Sequence, residues 1–593
     1  MCTKDVLSPN WVFFLAVILL LVTGCKQPLL TDKIFDRNDD APSSNNQVTK
    51  DYQIFAVNDL GMHCMDEEYS VFSILPPFNT LHAQVIKTGR EPELLGPDRV
   101  EVRYSAIADA SGSINSTSIG KTEFWDHVQA LFGASLAPDV GLTGSKMPSE
   151  RNGPQLFNEY NGSDQRYVAS GIPITPWDDF GQHNAYSMFR VEAVEKTSNK
   201  VLASVDTVVP VSEEMACGDC HHSGGEAASD TTAMRYGNVQ WSSAVKPVIQ
   251  YKENILILHD AKHETQLLGN QPVLCAKCHY SPALDLSGSG PQGAQNEVPL
   301  LSYAIHRRHG KTIDGDLPSG SVQAIVADSG KTTCYNCHPG EKTQCFRGAM
   351  ANAGLICQDC HGDMLAVGGQ YPMANGNIRM PWQDLPKCQS CHTGDVLDHQ
   401  GSHVVRRLAY DSLDKAATPL LASNKRFAES DTALYRNSSG HGGMDCTACH
   451  GSPHAIWPNV DPLANDNVPA KQIQGYAGTI IECKRCHSSL ALTLSGPHGM
   501  HNVNDPRWTE EHDDFYERNP SACQRCHGIN LEGTRLSRTA TDRDYRSDDD
   551  GNGTIHLAKG TQVSCTLCHD RPDGEGEAQR GNDESDHDEG EDD

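Results

Sequence analysis

The chain opens with an unbroken apolar run, WVFFLAVILLLV from Trp11 to Val22. Its length suits the hydrophobic region of a signal peptide and falls short of a comfortable bilayer span. A polar stretch follows from Lys26 to about Lys50 and includes DRNDDAPSSNNQ. It buries too little apolar surface to fold alone, which predicts a tether. From Asp51 to about Glu214 the period of the pattern becomes two. RVEVRYSAIA from Arg99 alternates apolar and polar residues, as a half-buried strand does. SMFRVEAV from Ser187 and VLASVDTVV from Val201 flank EKTSNK and read as a hairpin. Turn signals recur, as in PPFN from Pro76 and SGIPITPWDD from Ser170. The pattern predicts an all-β, sandwich-like domain over 51–214. Docking a partner, binding carbohydrate, shielding the rest of the chain and plain packing are all open as its role. From 215 to 570 long periodic segments are few, which predicts short helices and loops. The stretch 571–593 is dominated by Gly, Asp and Glu and predicts a disordered acidic tail.

The apolar run ends in VTGC, with Cys25 last. This resembles a bacterial lipobox, which implies a signal peptide over 1–24, lipidation of Cys25 and a tether over 25–50. Lys26 rather than Asp after the cysteine points to the outer membrane. An ordinary secretory signal with a chance cysteine is the alternative. Either way the chain is exported, and a lipid would tether it to the membrane without spanning.

Composition changes the picture. Only 38% of the 593 residues are hydrophobic and 6% aromatic, low for a globular chain of this length, yet there are 22 cysteines. Something other than aliphatic side chains must fill the core. Eighteen of the cysteines form nine CxxC pairs, each followed at once by histidine. In chain order these sites are Cys217, Cys220 and His221; Cys275, Cys278 and His279; Cys334, Cys337 and His338; Cys357, Cys360 and His361; Cys388, Cys391 and His392. Then come Cys446, Cys449 and His450; Cys483, Cys486 and His487; Cys523, Cys526 and His527; Cys565, Cys568 and His569. Zinc ribbons, redox CxxC pairs and disulfides use cysteine pairs too, but none needs a histidine after every one. Covalent haem attachment does. Two thiols add to the two vinyl groups, and the next residue brings an imidazole under the ring. Nine c-type haems are the predicted cofactors, and as large apolar plates they explain the missing aliphatic core. The expected fold of 215–570 is a loop-rich, short-helix cytochrome c domain around a stacked-haem core.

Of the 27 histidines, nine follow CxxC and His587 lies in the tail, which leaves seventeen for nine sixth positions. Their spacing selects candidates. His259 and His263 are i,i+4, as are His399 and His403; His306 and His309 are i,i+3, as are His498 and His501. On a helix such pairs share a face. His222 follows His221 directly and is placed to ligate a neighbouring haem, and His454 sits four residues after His450. The expected distal set is therefore His222, His259, His263, His306, His309, His403, His454, His498 and His501. Methionine is the rival sixth ligand, and the histidine surplus makes it unnecessary. A haem with both axial positions filled has no place for substrate and passes electrons only.

The exported, lipobox-bearing, CxxCH-dense pattern over Cys217–His569 resembles the multihaem cytochromes of the outer membrane and cell surface in metal-reducing bacteria. The segment NDLGMHCMDEEYSVFSILPPFN from Asn58 looks like a module shared by some of them. The resemblance implies extracellular or periplasmic electron transfer, with other cytochromes, redox proteins or extracellular metal oxides as partners. The alternative is a multihaem oxidoreductase with one open haem acting on a small nitrogen or sulfur compound. Nitrite reductases of that kind typically carry CxxCK, which is absent here. Subunits stacked into a conductive filament are a third class. No catalytic residue is assigned.

Beyond Cys25, two cysteines remain in the mature chain, Cys64 and Cys345; a disulfide between them and two separate thiols are both open. His63, beside Cys64, would then reach a haem across an interface. Asp548, Asp550, Asn552 and Gly553 match the start of an EF-hand loop, but Lys559 stands where Glu is needed. Calcium is thus a candidate cofactor beside the plainer reading of a solvated acidic turn. The formal charge of −29 excludes nucleic acid as a partner and favours cations.

Overall fold

The computed structural model describes residues 51–311, 333–392 apart from positions 341, 372, 374, 375, 381, 386 and 389–391, then 434–546 and 553–568. The signal peptide, Cys25, the tether and the acidic tail lie outside the described residues. So do Cys391, His399, His403, Asp548, Asp550, Asn552, His569 and His587.

The strand-rich part begins with β1 (Tyr52–Asn58), β2 (His63–Cys64), β3 (Phe72–Ser73), β4 (Asn79–Lys87), β5 (Glu93–Leu94) and β6 (Val100–Ile107). After helix α1 (Phe124–Phe132) come β7 (Gln155–Leu156), β8 (Glu159–Asn161), β9 (Arg166–Ile172), β10 (Met188–Glu195), β11 (Val201–Val208) and β12 (Val211–Ser212). One sheet runs β1-β4-β9-β8 with β5 on β4, the other β11-β10-β6-β7, and all their pairings are antiparallel. Period two explains β10. Phe189, Val191 and Ala193 are buried while Arg190 and Glu192 turn outward to Asp206 and Arg103. The predicted hairpin is present, with Val191 opposite Val205. Side chains from both sheets, among them Ile54, Val85, Tyr104 and Phe189, share one core, capped by Phe124 and Val128 of α1.

After β12 the elements shorten. The longest helix is α4 (Pro247–His263), which follows α2 (Gly218–His221) and α3 (Asp230–Arg235) and precedes β13 (Val273–Leu274) and α5 (Leu301–His309). Proline at its first position starts α4, and Glu264 in the left-handed region ends it. Its buried residues include Lys252 and Asn254 beside Leu256, so it has no clean apolar stripe, and polar contacts position it.

Contacts cross residue 214, where the texture of the pattern changes. β13 pairs in parallel with β3 just before Cys275. Arg166 of β9 meets Asp445 at 3.3 Å, both buried. Arg347 and Asp466 form a bidentate pair at 2.6 and 2.9 Å that is wholly buried. Among the described residues no helix is long and apolar enough to cross a membrane.

Candidate haem sites

Each described CxxCH segment forms a single tight turn. Cys217 caps α2, Cys357–His361 and Cys446–His450 are short helices, and Cys275–Lys277, Cys483–Arg485 and Cys565–Leu567 are 3-10 turns. The histidine amide commonly closes the turn on the first cysteine's carbonyl, as in His221 to Cys217 at 3.0 Å and His487 to Cys483 at 3.0 Å. That local geometry puts two thiols and one imidazole on one side of the turn.

Six of these imidazoles each face a second histidine brought from elsewhere. Ring centres lie 6.2 Å apart for His221 and His309, 6.3 Å for His279 and His259, and 6.0 Å for His338 and His306. They lie 6.1 Å apart for His361 and His454, 6.0 Å for His450 and His498, and 6.0 Å for His487 and His441. The common spacing has a physical meaning. An imidazole nitrogen binds its metal at about 2 Å and the ring centre lies about 1 Å beyond, so two rings on opposite sides of one iron have centres about 6 Å apart. Rings in ordinary contact span about 4.5–7 Å, so what marks these six pairs is their near-equal spacing together with one CxxCH histidine in each. The residues therefore fit a bis-histidine haem iron at six places.

Hydrogen bonds support the same fit. The Nδ1 of His279 bonds Pro299 O at 2.7 Å, that of His306 bonds Ser302 O at 2.8 Å, and that of His309 bonds Ile305 O at 2.8 Å. A carbonyl only accepts, so Nδ1 carries the proton and the lone pair is on Nε2, the metal-binding form. His259 does the same through Thr265 Oγ1 at 2.9 Å, which in turn donates to Asp260 at 2.6 Å. Burial holds His221, His306, His450 and His454 down at about 4 and His361 at about 3, so these rings are neutral, as ligands must be.

Of the expected distal residues the structure thus brings His259, His306, His309, His454 and His498 opposite a motif histidine. His263 packs on His259 at 4.9 Å, and His501 packs on Trp508 at 4.4 Å. His222 turns its Nδ1 to Gly218 O at 2.9 Å. None of these three faces a motif histidine among the described ring pairs. The spacing argument for His498 and His501 fails on the backbone. Pro497–Gly499 is one 3-10 turn with His498 at φ 55° and Gly499 at φ 74°, so no helix aligns the two. His441 was missed because it stands alone between glycines, with no histidine partner at helical spacing. His63 does not reach toward a motif: its Nε2 bonds Asp59 at 2.6 Å and its ring packs edge-on against Phe78. Cys64 and Cys345 stand as free thiols, both raised by burial, and Cys345 Sγ lies 4.0 Å from Nδ1 of His454.

No curated protein and no solved structure matches the chain. A family does: residues 347–538, about a third of the chain, match the family described as outer membrane cytochrome MtrC/MtrF-like, domains II/IV. The matched segment contains the five motifs from Cys357 to His527. By its motifs and by this match, the chain is similar to the multihaem outer-membrane cytochromes of the MtrC/MtrF-like family.

Proposed function

We propose that this chain carries electrons through nine c-type haems, mostly bis-histidine, in extracellular respiration at the outer membrane. Multihaem electron transfer is what the family match implies. The observation that carries the finer reading is the set of six imidazole pairs, each with one CxxCH histidine, at 6.0–6.3 Å. Bound haem supplies reversible one-electron chemistry at iron. The thiols and the paired imidazoles would hold such a haem, and the carbonyls and Thr265 keep His279, His306, His309 and His259 in the binding tautomer. The sparse aliphatic core beyond residue 215 fits a core of stacked haems, and two antiparallel sheets sharing one core fit a sandwich.

The pairing also suggests a route. Helix α5 offers His309 to the first site and His306 to the third, one turn apart. His454, four residues past His450 of the sixth site, faces His361 of the fourth, while His441, just before the sixth motif, faces the seventh. Shared segments of this kind hold sites side by side in an order different from the sequence. Lipid anchoring at Cys25, other cytochromes as donors and extracellular metal oxides as acceptors complete the proposal.

The test is a pyridine-haemochrome count with low-temperature EPR of the oxidised protein. Nine haems per chain with low-spin signals throughout is the expected result. A high-spin signal that responds to nitrite or hydroxylamine would instead make the protein an enzyme with one open haem.

A smaller effect is expected at Thr265. Thr265→Val removes the acceptor for His259 Nδ1 and makes that ligand less basic, so ferric iron at the second site loses support. One midpoint potential should rise, by about 59 mV for each tenfold loss of ferric preference in a one-electron couple. Spectropotentiometry that finds every midpoint unmoved would contradict the relay.

A further inference from the structure

We infer that strand β4 and the loop after it, which bear no haem motif, are the positioning device for both axial ligands of the seventh haem. The inference rests on the reading of His441 and His487 as that axial pair. The strand-rich part thereby gains a role beyond packing: it positions the ligands of one haem.

Two sets of contacts carry it, one on each side of the pair. On the distal side, His441 belongs to the turn Gly440–Met444, which the Gly440 amide closes on Met444 O at 2.8 Å. Gln84 of β4 holds the end of that turn. Its Nε2 donates to Gly443 O at 3.0 Å and its Oε1 accepts from the Asp445 amide at 2.8 Å. Gln84 is only 1% exposed, and its second amide hydrogen goes to Asp164 O at 3.0 Å. The whole amide is therefore satisfied and fixed. Leu94 of β5 lies against Gly443, where a Cβ would approach it to 3.2 Å, and Gly443 has φ +82°. The turn can neither shift nor take a side chain there.

On the proximal side, Gly89 and His487 form an isolated parallel bridge. The Gly89 amide donates to Cys486 O at 3.1 Å, and Gly89 O accepts from the Ser488 amide at 2.9 Å. The next carbonyl, Arg90 O, lies 3.4 Å from His487 Nδ1 and so favours the lone pair on Nε2. Gln84 and Gly89 sit five residues apart on one chain segment. One short chain segment, β4 and the two residues after it, thus touches the loops that carry both imidazoles.

The experiment uses the full haem-loaded chain with Gln84→Leu, Gln84→Glu and, as the reference, His441→Ala. Redox-titrated EPR and optical spectra are read together with the haem count. His441→Ala should convert one haem in nine to high spin. Gln84→Leu should perturb that same haem, by loss of its low-spin signal or a displaced midpoint, while the haem count stays unchanged. Gln84→Glu keeps the acceptor for the Asp445 amide and loses the donor to Gly443, so it should affect the same site less; it serves if the leucine variant does not mature. Wild-type signals at that haem in the glutamine variants, or small shifts spread over all haems, overturn the positioning role. If His441→Ala leaves every haem low-spin, the axial pairing itself fails and the inference falls with it.

Discussion

Ala304→Pro is expected to open two haem sites with one substitution. Ala304 lies in α5, and its amide donates to Leu300 O at 2.9 Å. Proline removes that donor, crowds the carbonyl four residues back and costs about 3 kcal/mol in a helix. The helix is short, and its Nδ1 anchors are internal: His306 bonds Ser302 O and His309 bonds Ile305 O. Breaking the first turn therefore disturbs both imidazoles, which face His338 and His221 respectively. His306→Ala and His309→Ala should each convert one haem to high spin, and Ala304→Pro should convert two. Arg307 donates to Gly368 O at 3.1 Å and Gly369 O at 2.6 Å, which tethers the segment while its helical turns are lost, and the haem count checks that the variant matures. EPR with a carbon-monoxide difference spectrum counts the opened sites. A wild-type spectrum from the proline variant would show that α5 does not present these ligands.

The same helix shows what could be read from the sequence. A CxxCH motif is local: all the geometry it needs lies within five residues, so nine motifs were legible without a fold. Period-two alternation is equally local, and the hairpin of β10 and β11 follows from it. The i,i+3 spacing marked His306 and His309 as ligands. It did not show that they serve different sites, since adjacent positions on one face can still reach opposite sides of a neighbour. Pairing across the chain has no local signature. His441 and His487 lie 6.0 Å apart although they come from different loops, and nothing near His441 advertises that. His498 was marked by a helical spacing that the backbone lacks: Pro497–Gly499 is one 3-10 turn, and His498 faces His450 while His501 packs on Trp508. Contacts between distant segments were hidden too, because buried pairs such as Arg166 with Asp445 and Lys252 with Asp66 join residues far apart in the chain.

Lys252 is the strongest of these links, and Lys252→Ala is expected to cost about 3–5 kcal/mol. Its ammonium group is 1% exposed, bonds Asp66 at 3.2 Å and Phe72 O at 3.0 Å, contacts Glu68 O and lies 4.6 Å from the centre of the Phe72 ring. Asp66 is fully buried and also accepts from Ser73 Oγ and the amides of Ile74 and Leu75. Alanine leaves that carboxylate without its cation, in a place where water cannot replace it. The loss reaches function because α4 is positioned by polar contacts. The same helix carries His259, which faces His279, and Asn254, which bonds His221 O at 2.8 Å. Urea unfolding should show a lower midpoint with an unchanged slope, since the surface exposed on unfolding is the same. The double variant Lys252→Met with Asp66→Asn separates the two contributions. If the cost is that of an unpaired buried charge, removing both charges should recover part of it, with a coupling of about 0.5–3 kcal/mol. A Lys252→Ala loss below about 1 kcal/mol would place this pair with exposed salt bridges. The junction between the strand-rich part and the haem sites would then have to rest on Arg166, paired with Asp445, and on Arg347, which lies 5.0 Å from the centre of the Tyr186 ring.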